Sequence, residues 1–523
     1  MKLKFTYIFL LLLFFSSGSN AQKADKQQSK ISSLPNIVYI LADDMGIGDV
    51  SGFNGNAKLK TPHIDLLIDQ GMTFTDAHTA ASVCTPTRYG LMTGRYPWRT
   101  QLKSRVLDGY SKPMVDSNID TAPKLLQRNG YQTAMIGKWH LGWNWALTTD
   151  ASELKLDTTV PFKYDKTVPI ANLVDYSKPF SGGPTDCGFD YFYGINASLD
   201  FPPYSYCENN KVINIPKETL KKPTGSDYIE TKQMMMRIGD KAPDFDPNEV
   251  LLTLTNKTVD YINQANQEKP FFLYVALTSP HTPVLPRQSF EGTSKCGRYG
   301  DFIQEMDWSV GQIIMALKNK GLLDNTLLVF TADNGASKAS FPLEFEKQYD
   351  HNPSGNVRGR KNSLLEGGHR VPFVVHWPEV IKNPSKNNRT INLNDFYATC
   401  QNLVGENNPN QGVDSYSILS LLKGEDQYNR RVSIYSNFAG LLAIRKGDFK
   451  LTMNRNPKRY GLYNLKADLM ELNNLFDDSK YEDVRLDLEQ ELENIITKGR
   501  STDGEPLLND GDLIWKNFKW IKH

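Results

Sequence analysis

Three scarcities narrow the reading of this chain. Net charge is almost absent: 60 lysines and arginines face 59 aspartates and glutamates, leaving +1 at pH 7. No global field therefore draws it to nucleic acid, and any attraction for anions has to be local. Cysteine is rare, with Cys84, Cys187, Cys207, Cys296 and Cys400 the only five in 523 residues, at spacings that fit no zinc module. Long apolar runs are rarer still. The single one, over residues 5–15, is too short to span a bilayer and lies between Lys2 and Lys4 on one side and the small residues Ser19 and Ala21 on the other. It reads as a cleaved export signal over residues 1–21, followed by a flexible polar arm over 22–35. The expectation is a periplasmic or secreted protein with no membrane span. Internal repeats and low-complexity tracts are also missing, and 39% hydrophobic against 23% charged residues excludes general disorder.

The length exceeds what one core usually fills, so two unequal domains are expected, 36–425 and 426–523. Apolar runs rich in β-branched residues occur at 36–42, 130–136, 271–276, 326–331 and 371–376, and helical spacing occurs at 61–71 and 301–320. This alternation predicts an α/β fold with a large, mostly parallel sheet flanked by helices. Thr61 is expected to cap the first of these helices, with Pro62 in its first turn and Gly71 as its stop. Residues 148–249, rich in Pro, Gly and Asp, read as loops and short elements over the sheet end. Beyond 426, short strands at 431–435, 441–445 and 448–453 and an amphipathic helix at 484–496 predict a small antiparallel sheet with a packed helix.

Acids close two of the strand candidates: Asp43 and Asp44 follow 36–42, and Asp333 and Asn334 follow 326–331. Open α/β sheets hold ligands at such carboxyl ends, and neighbouring buried carboxylates need a shared cation. An all-oxygen donor set selects Ca²⁺, with Mg²⁺ second, although an Asp-Asp pair in a plain turn is the alternative. Cys84 precedes Thr85, Pro86 and Thr87, residues that open helices, and Arg88 lies one turn on. A group there would sit where a helix dipole stabilises an anion; the alternative is a structural cysteine packed beside a capped helix. Lys138 and His140 alternate out of a strand end, or are a surface lysine and a packed histidine. Arg358, Arg360 and Lys361 form a basic group or a solvated turn. Asp200 and the nearby tyrosines are sugar contacts or core. The remaining four cysteines are disulfide-bonded or free and packed.

Cys84-Thr-Pro-Thr-Arg88, continued by Leu91-Met-Thr-Gly-Arg-Tyr-Pro97, resembles the signature of the type I, formylglycine-dependent sulfatases of the alkaline phosphatase-like superfamily. Residues 130–140 match the family's second signature, 188–204 its pocket loop, and Glu366-Gly-Gly368 follows a lysine, Lys361, at the family's position. The likeness covers most of 36–378 and is closest to the arylsulfatase A and N-acetylgalactosamine-6-sulfatase branch. It implies that a sulfatase-maturing enzyme oxidises Cys84 to Cα-formylglycine, whose hydrate attacks sulfur. Asp43, Asp44, Asp333, Asn334 and the matured Cys84 would hold the metal. Arg88 and Lys138 would stabilise the attacking hydroxyl, and Lys138 and Lys361 would hold sulfate oxygens. His281, helped by Lys361, would protonate the leaving oxygen, and His140 would take the proton that lets the aldehyde re-form. Lys138, His281, Lys361 and Asp200 would contact substrate. The implied function is desulfation of a sulfated carbohydrate in polysaccharide degradation, exo-acting on a galactose-type sugar. A phosphoester or phosphonate hydrolase of the same superfamily and a non-catalytic glycan-binding relative are the rival readings.

Overall fold

Every side chain of the strand Asn36–Ala42 is buried, as in a parallel sheet covered on both faces, and parallel strands pair with it on both edges: Phe271–Ala276 on one and Thr326–Ala332 on the other. The computed structural model describes residues 34–149, 154–157, 160–165, 170–220 and 233–511. The expected export signal and all but residues 34–35 of the arm lie outside the described residues. Gln132–Lys138 and then Tyr191–Ile195 extend the parallel set outward from Phe271–Ala276. The aromatic stretch at 188–194, expected as a pocket loop, thus supplies a sheet strand, as the β-propensity of its tyrosines and phenylalanine favours.

One strand on each flank runs the other way. Phe373–His376 pairs antiparallel with Thr326–Ala332 and carries Met72–Phe74 and Ser385–Asn387 beyond it. Cys207–Glu208 and Lys211–Val212 form an antiparallel hairpin at the opposite edge. The ten-stranded sheet is therefore mixed but mostly parallel, as expected: five central strands are continuously parallel, and among the described residues only Phe373–His376 and Cys207–Glu208 run against the rest. The hairpin turns back in two residues, which an antiparallel pair allows and a parallel crossover does not.

Helix Gly297–Asn319 packs against Val250–Gln264 and Pro62–Gln70. Thr61 makes no side-chain cap on the last of these. Asp307, from the long helix, takes that role by accepting from the backbone N–H groups of His63 and Ile64 at 3.1 and 2.9 Å. Burial pushes its carboxyl up to about 7 despite those bonds.

Past the large sheet, Val432–Ser436, Leu442–Lys446, Phe449–Thr452 and an unexpected fourth strand, Gly461–Asn464, form the antiparallel sheet. Helix Glu482–Lys498 covers it with Leu488, Leu492, Ile495 and Ile496. Tyr96 and Trp98 join the same core, fixing this sheet to the segment that follows the Cys84 helix. All five cysteines are buried and none is disulfide-bonded, so the free, packed alternative is the one observed. Among the described residues no helix is long and apolar enough to cross a membrane.

Candidate active site

Four neighbouring parallel strands end side by side and deliver the site. Asp43 and Asp44 leave Asn36–Ala42, Asp333 and Asn334 leave Thr326–Ala332, Lys138 ends Gln132–Lys138, and His281 lies five residues past Phe271–Ala276. Backbone bonds tie the ends together: Asp333 N–H donates to the Ala42 carbonyl at 3.0 Å and Asp43 N–H to that of Ser279 at 2.9 Å. Two glycines make the close approach possible. Gly137, at φ +126°, precedes Lys138, and a Cβ there would lie 1.9 Å from the Ala276 carbonyl oxygen. A Cβ on Gly335 would lie 1.9 Å from the carbonyl oxygen of Gly367, in the short helix Glu366–His369 that follows Lys361.

Cys84 is the first residue of helix Cys84–Thr93 and is buried. Neither threonine caps that helix. Thr87 Oγ1 donates to the Ala81 carbonyl at 2.8 Å, and Thr85 Oγ1 accepts from Leu107 N–H at 3.3 Å. Both pin the approach to the helix instead, so its mouth carries no protein cap. Burial raises the Cys84 thiol above its ordinary range, outweighing Lys138 and Lys361, so an unmodified Cys84 stays a neutral thiol.

Three cations face three carboxylates, all nearly or fully buried. Arg88 Nε and Nη2 donate to Asp333 Oδ2 at 3.1 and 2.8 Å, and its Nη1 donates to the Lys138 carbonyl at 2.9 Å. Lys138 Nζ lies 2.6 Å from Asp43 Oδ2 and Lys361 Nζ 2.6 Å from Asp44 Oδ1. Burial works against the charge of Arg88 and of Lys361, but Asp333 and Asp44 respectively hold each protonated well above its ordinary range. Burial likewise opposes ionisation of Asp43, yet Lys138, His281 and Arg88 together lower its carboxyl. Asp333 is pushed the other way by burial and by Asp43.

The two histidines are held in defined roles. His140, at φ +58°, is 1% exposed, and its Nε2 donates to the Leu107 carbonyl at 3.0 Å. Its Nδ1 lone pair is buried with no hydrogen-bond partner among the described residues. Burial, then Lys138 and Arg88, hold this imidazole neutral to well below the usual histidine range. His281 Nδ1 lies 2.6 Å from the Thr282 carbonyl, so it carries the hydrogen, and Nε2 points to Asp44 Oδ2 at 3.5 Å.

Ser198 is the residue that the sequence reading missed. Its hydroxyl lies 3.2 Å from Lys138 Nζ and 3.3 Å from His281 Nδ1, joining the two. The only signal was a small polar residue between Ala197 and Leu199 in a stretch already suspected of lining the pocket. Asp200 stands just outside the cage. Its carboxylate pairs with Arg237, and although burial opposes ionisation, His281 and Arg237 keep its carboxyl low. The tyrosines are core: Tyr204 is 1% exposed, and its hydroxyl donates to the carbonyls of Arg237 and Asp200 at 2.6 and 3.2 Å. The 358–361 stretch is not a solvated turn either, since Arg360 is buried and paired with Glu346.

Asp43 Oδ1 and Asn334 Oδ1 are buried oxygens with no hydrogen-bond partner among the described residues. Asn334 Nδ2 donates to Asp44 Oδ1 at 2.7 Å and to the Gly335 carbonyl at 3.0 Å, which fixes the amide with its oxygen turned away from them. Orphaned oxygens among three carboxylates fit a hard divalent cation. Because the carboxylates are already balanced by three side-chain cations, such an ion would leave the cage with a positive excess suited to an anionic ester.

The model of the family described as Sulfatase matches residues 35–406, and that of the N-sulphoglucosamine sulphohydrolase C-terminal region matches 360–498. An N-acetylgalactosamine-6-O-sulfatase of Bacteroides thetaiotaomicron is 32% identical over 92% of this chain and 97% of its own. The human steryl-sulfatase is also 32% identical, over 80% of this chain and 73% of its own. A solved 6S-sulfatase from the metabolism of multiple glycosaminoglycans by B. thetaiotaomicron superposes with a TM-score of 0.75 at 29% identity, covering 88% of this chain and 99% of that one. With the cage of cations, carboxylates and histidines already in place, these matches establish that the chain belongs to the sulfatase family and is a sulfuric ester hydrolase.

Proposed function

We propose that this protein removes sulfate from a sulfated carbohydrate, acting from the chain end on a galactose- or N-acetylgalactosamine-type sugar, after conversion of Cys84 to Cα-formylglycine and with Ca²⁺ at the site. The observation that carries the reading is the placement of Cys84: first residue of a helix with no side-chain cap, within the fields of Lys138 and Lys361. The sugar class rests on the B. thetaiotaomicron relative, which matches nearly end to end, whereas a steroid-directed relative of equal identity matches less of the chain.

Asp43, Asp44, Asp333 and Asn334, with the matured residue 84, would hold the ion. When bound, Ca²⁺ would supply positive charge to the sulfuryl oxygens, and the aldehyde hydrate at position 84 the attacking hydroxyl. Lys138 Nζ and Lys361 Nζ bind and orient the sulfuryl group, and Arg88 fixes Asp333 and the Lys138 backbone. His281, in its doubly protonated form, gives the Nε2 proton to the ester oxygen as the S–O bond breaks and keeps the Nδ1 hydrogen on the Thr282 carbonyl. His140 Nδ1 receives the proton whose removal restores the aldehyde and frees sulfate. Ser198 holds Lys138 and His281 in register. Asp200 is assigned to the sugar through its unpartnered Oδ1.

Residues 1–21 are proposed to direct export to the periplasm or medium, and 36–425 and 426–523 to be the two structural units. Mass spectrometry of the Cys84 peptide, from protein made beside a maturing enzyme, tests the nucleophile: loss of SH₂ with gain of O supports it. Desulfation of defined sulfated oligosaccharides, followed by NMR with a phosphate monoester as the competitor class, tests the substrate. Release from internal sugars before terminal ones would overturn the exo assignment.

A further inference from the structure

A cavity of about 710 Å³ opens beside Lys361, and among the described residues four cationic side chains but one carboxylate line it: Lys338, Arg358, Arg360 and Lys361 against Glu346. Two of those cations are spoken for, Arg360 by Glu346 and Lys361 by Asp44. The other two are not. Arg358 gives Nε to the Met470 carbonyl at 3.1 Å and Nη2 to that of Glu471, both neutral acceptors. Among the described residues, no carboxylate pairs with Arg358 or with the exposed Lys338.

The position of these charges couples them to the catalytic cage. Lys338 lies four residues beyond Asn334, and Arg358 three residues before Lys361, so each loop that enters the cage also enters the cavity. Leu343, half exposed, and Met470 give the cavity an apolar wall that suits the C–H face of a sugar ring. A substrate with a single sulfate, bound at the cage, leaves Lys338 and Arg358 without counter-charge. One with a second sulfate on the neighbouring sugar would meet a guanidinium and an ammonium there.

Resting on the sulfatase reading above, we propose that this cavity is a second anion subsite and that the substrate is a multiply sulfated glycan, with one sulfate at the cage and another, on an adjacent sugar, held by Lys338 and Arg358. Met470 makes the segment after the small antiparallel sheet part of that subsite.

Two measurements test it. In a Cys84→Ser background, titration calorimetry with sucrose octasulfate is expected to show at least a tenfold loss of affinity on Lys338→Glu, and on the double change Lys338→Ala with Arg358→Gln. Lys338 is exposed, so its charge reversal leaves the fold intact even where loss of the Arg358 backbone bonds does not. In the matured enzyme, the ratio of kcat/KM for a disulfated over a monosulfated oligosaccharide is expected to fall about tenfold in the same variants. Unchanged affinity together with an unchanged ratio overturns the subsite. Loss of affinity without turnover of any sulfate ester keeps the subsite and removes the reaction proposed above.

Discussion

Lys138 Nζ lies 2.6 Å from Asp43 Oδ2 with both side chains shut off from solvent. Taking one partner from a buried pair leaves the other as an uncompensated charge, at a cost of about 3–5 kcal/mol. Lys138→Met keeps the aliphatic stem and removes the ammonium, so its thermal midpoint without Ca²⁺ should fall clearly below that of the parent. Added Ca²⁺ should recover part of the loss, because a divalent cation restores charge beside Asp43. Turnover of an aryl sulfate should stay at least ~100-fold down. Calorimetry with and without Ca²⁺ checks the first two statements, and a variant as stable as the parent would refute them.

His140→Gln preserves a donor for the Leu107 carbonyl and removes the lone pair at Nδ1. The expected result is an intact fold with kcat reduced about 10²–10⁴-fold. Burial and the two neighbouring cations hold the parent imidazole neutral to well below 6.5, so its protonation inactivates only at a pH lower than an ordinary histidine would require. A pH–rate profile whose acid limb persists unchanged in the glutamine variant would assign that limb to another group.

Chelation should act on stability as well as on rate. If Asp43, Asp44, Asp333 and Asn334 hold Ca²⁺, free ion at 100 times its dissociation constant stabilises the fold by about 2.7 kcal/mol. EGTA should therefore abolish turnover and lower the unfolding midpoint together, and excess Ca²⁺ should restore both. Asp333→Asn should blunt the midpoint shift, and an identical shift in that variant would place the ion elsewhere.

The strands that carry the site were legible because they are apolar runs, the pattern that burial on both faces imposes, and three of the four lead directly into an acid or lysine. Cys84, Arg88, Lys138 and Lys361 could be marked from motifs, yet their partners could not. The pairing of Arg88 with Asp333 joins residues 245 apart, and spacing along the chain holds no trace of it. Asp307 replacing Thr61 as a helix cap is a further case of tertiary structure overriding a local signal. Ser198 and the carbonyl of Leu107 escaped because their roles depend on position alone, and any small hydroxyl or any backbone would look the same in sequence. The direction of the strand at 371–376 was not legible, because the run has the same composition whichever way its neighbour points.

A second histidine pair makes the fold, rather than the chemistry, sensitive to acid. His78 Nε2 lies 2.8 Å from Asp76 Oδ1 and donates to it, and His78 Nδ1 lies 3.0 Å from His369 Nδ1. Tyr435 stacks on His369 at 3.9 Å, and Lys450 and Arg445 reach Glu366 and Asp76 from the antiparallel sheet, so this buried group joins that sheet to the catalytic loops. Burial first holds both imidazoles below 6.5, His369 the further, with Lys450 adding to its shift. The unfolded chain therefore takes up protons that the fold refuses, and stability falls as pH drops below about 6.5, by up to about 1.4 kcal/mol per pH unit for each histidine. Asp76 and Glu366 lie in the opposite case. Their carboxyls are held well below the ordinary range by Arg370 and Lys450 against the cost of burial, so their contribution persists to lower pH and is lost only below about 4.5. Urea unfolding between about pH 7 and pH 5 should show the histidine slope in the parent and a slope shallower by close to one proton in His369→Gln. Equal slopes in the two proteins would mean that His369 already titrates normally, which a ring so enclosed and so close to Lys450 should not do.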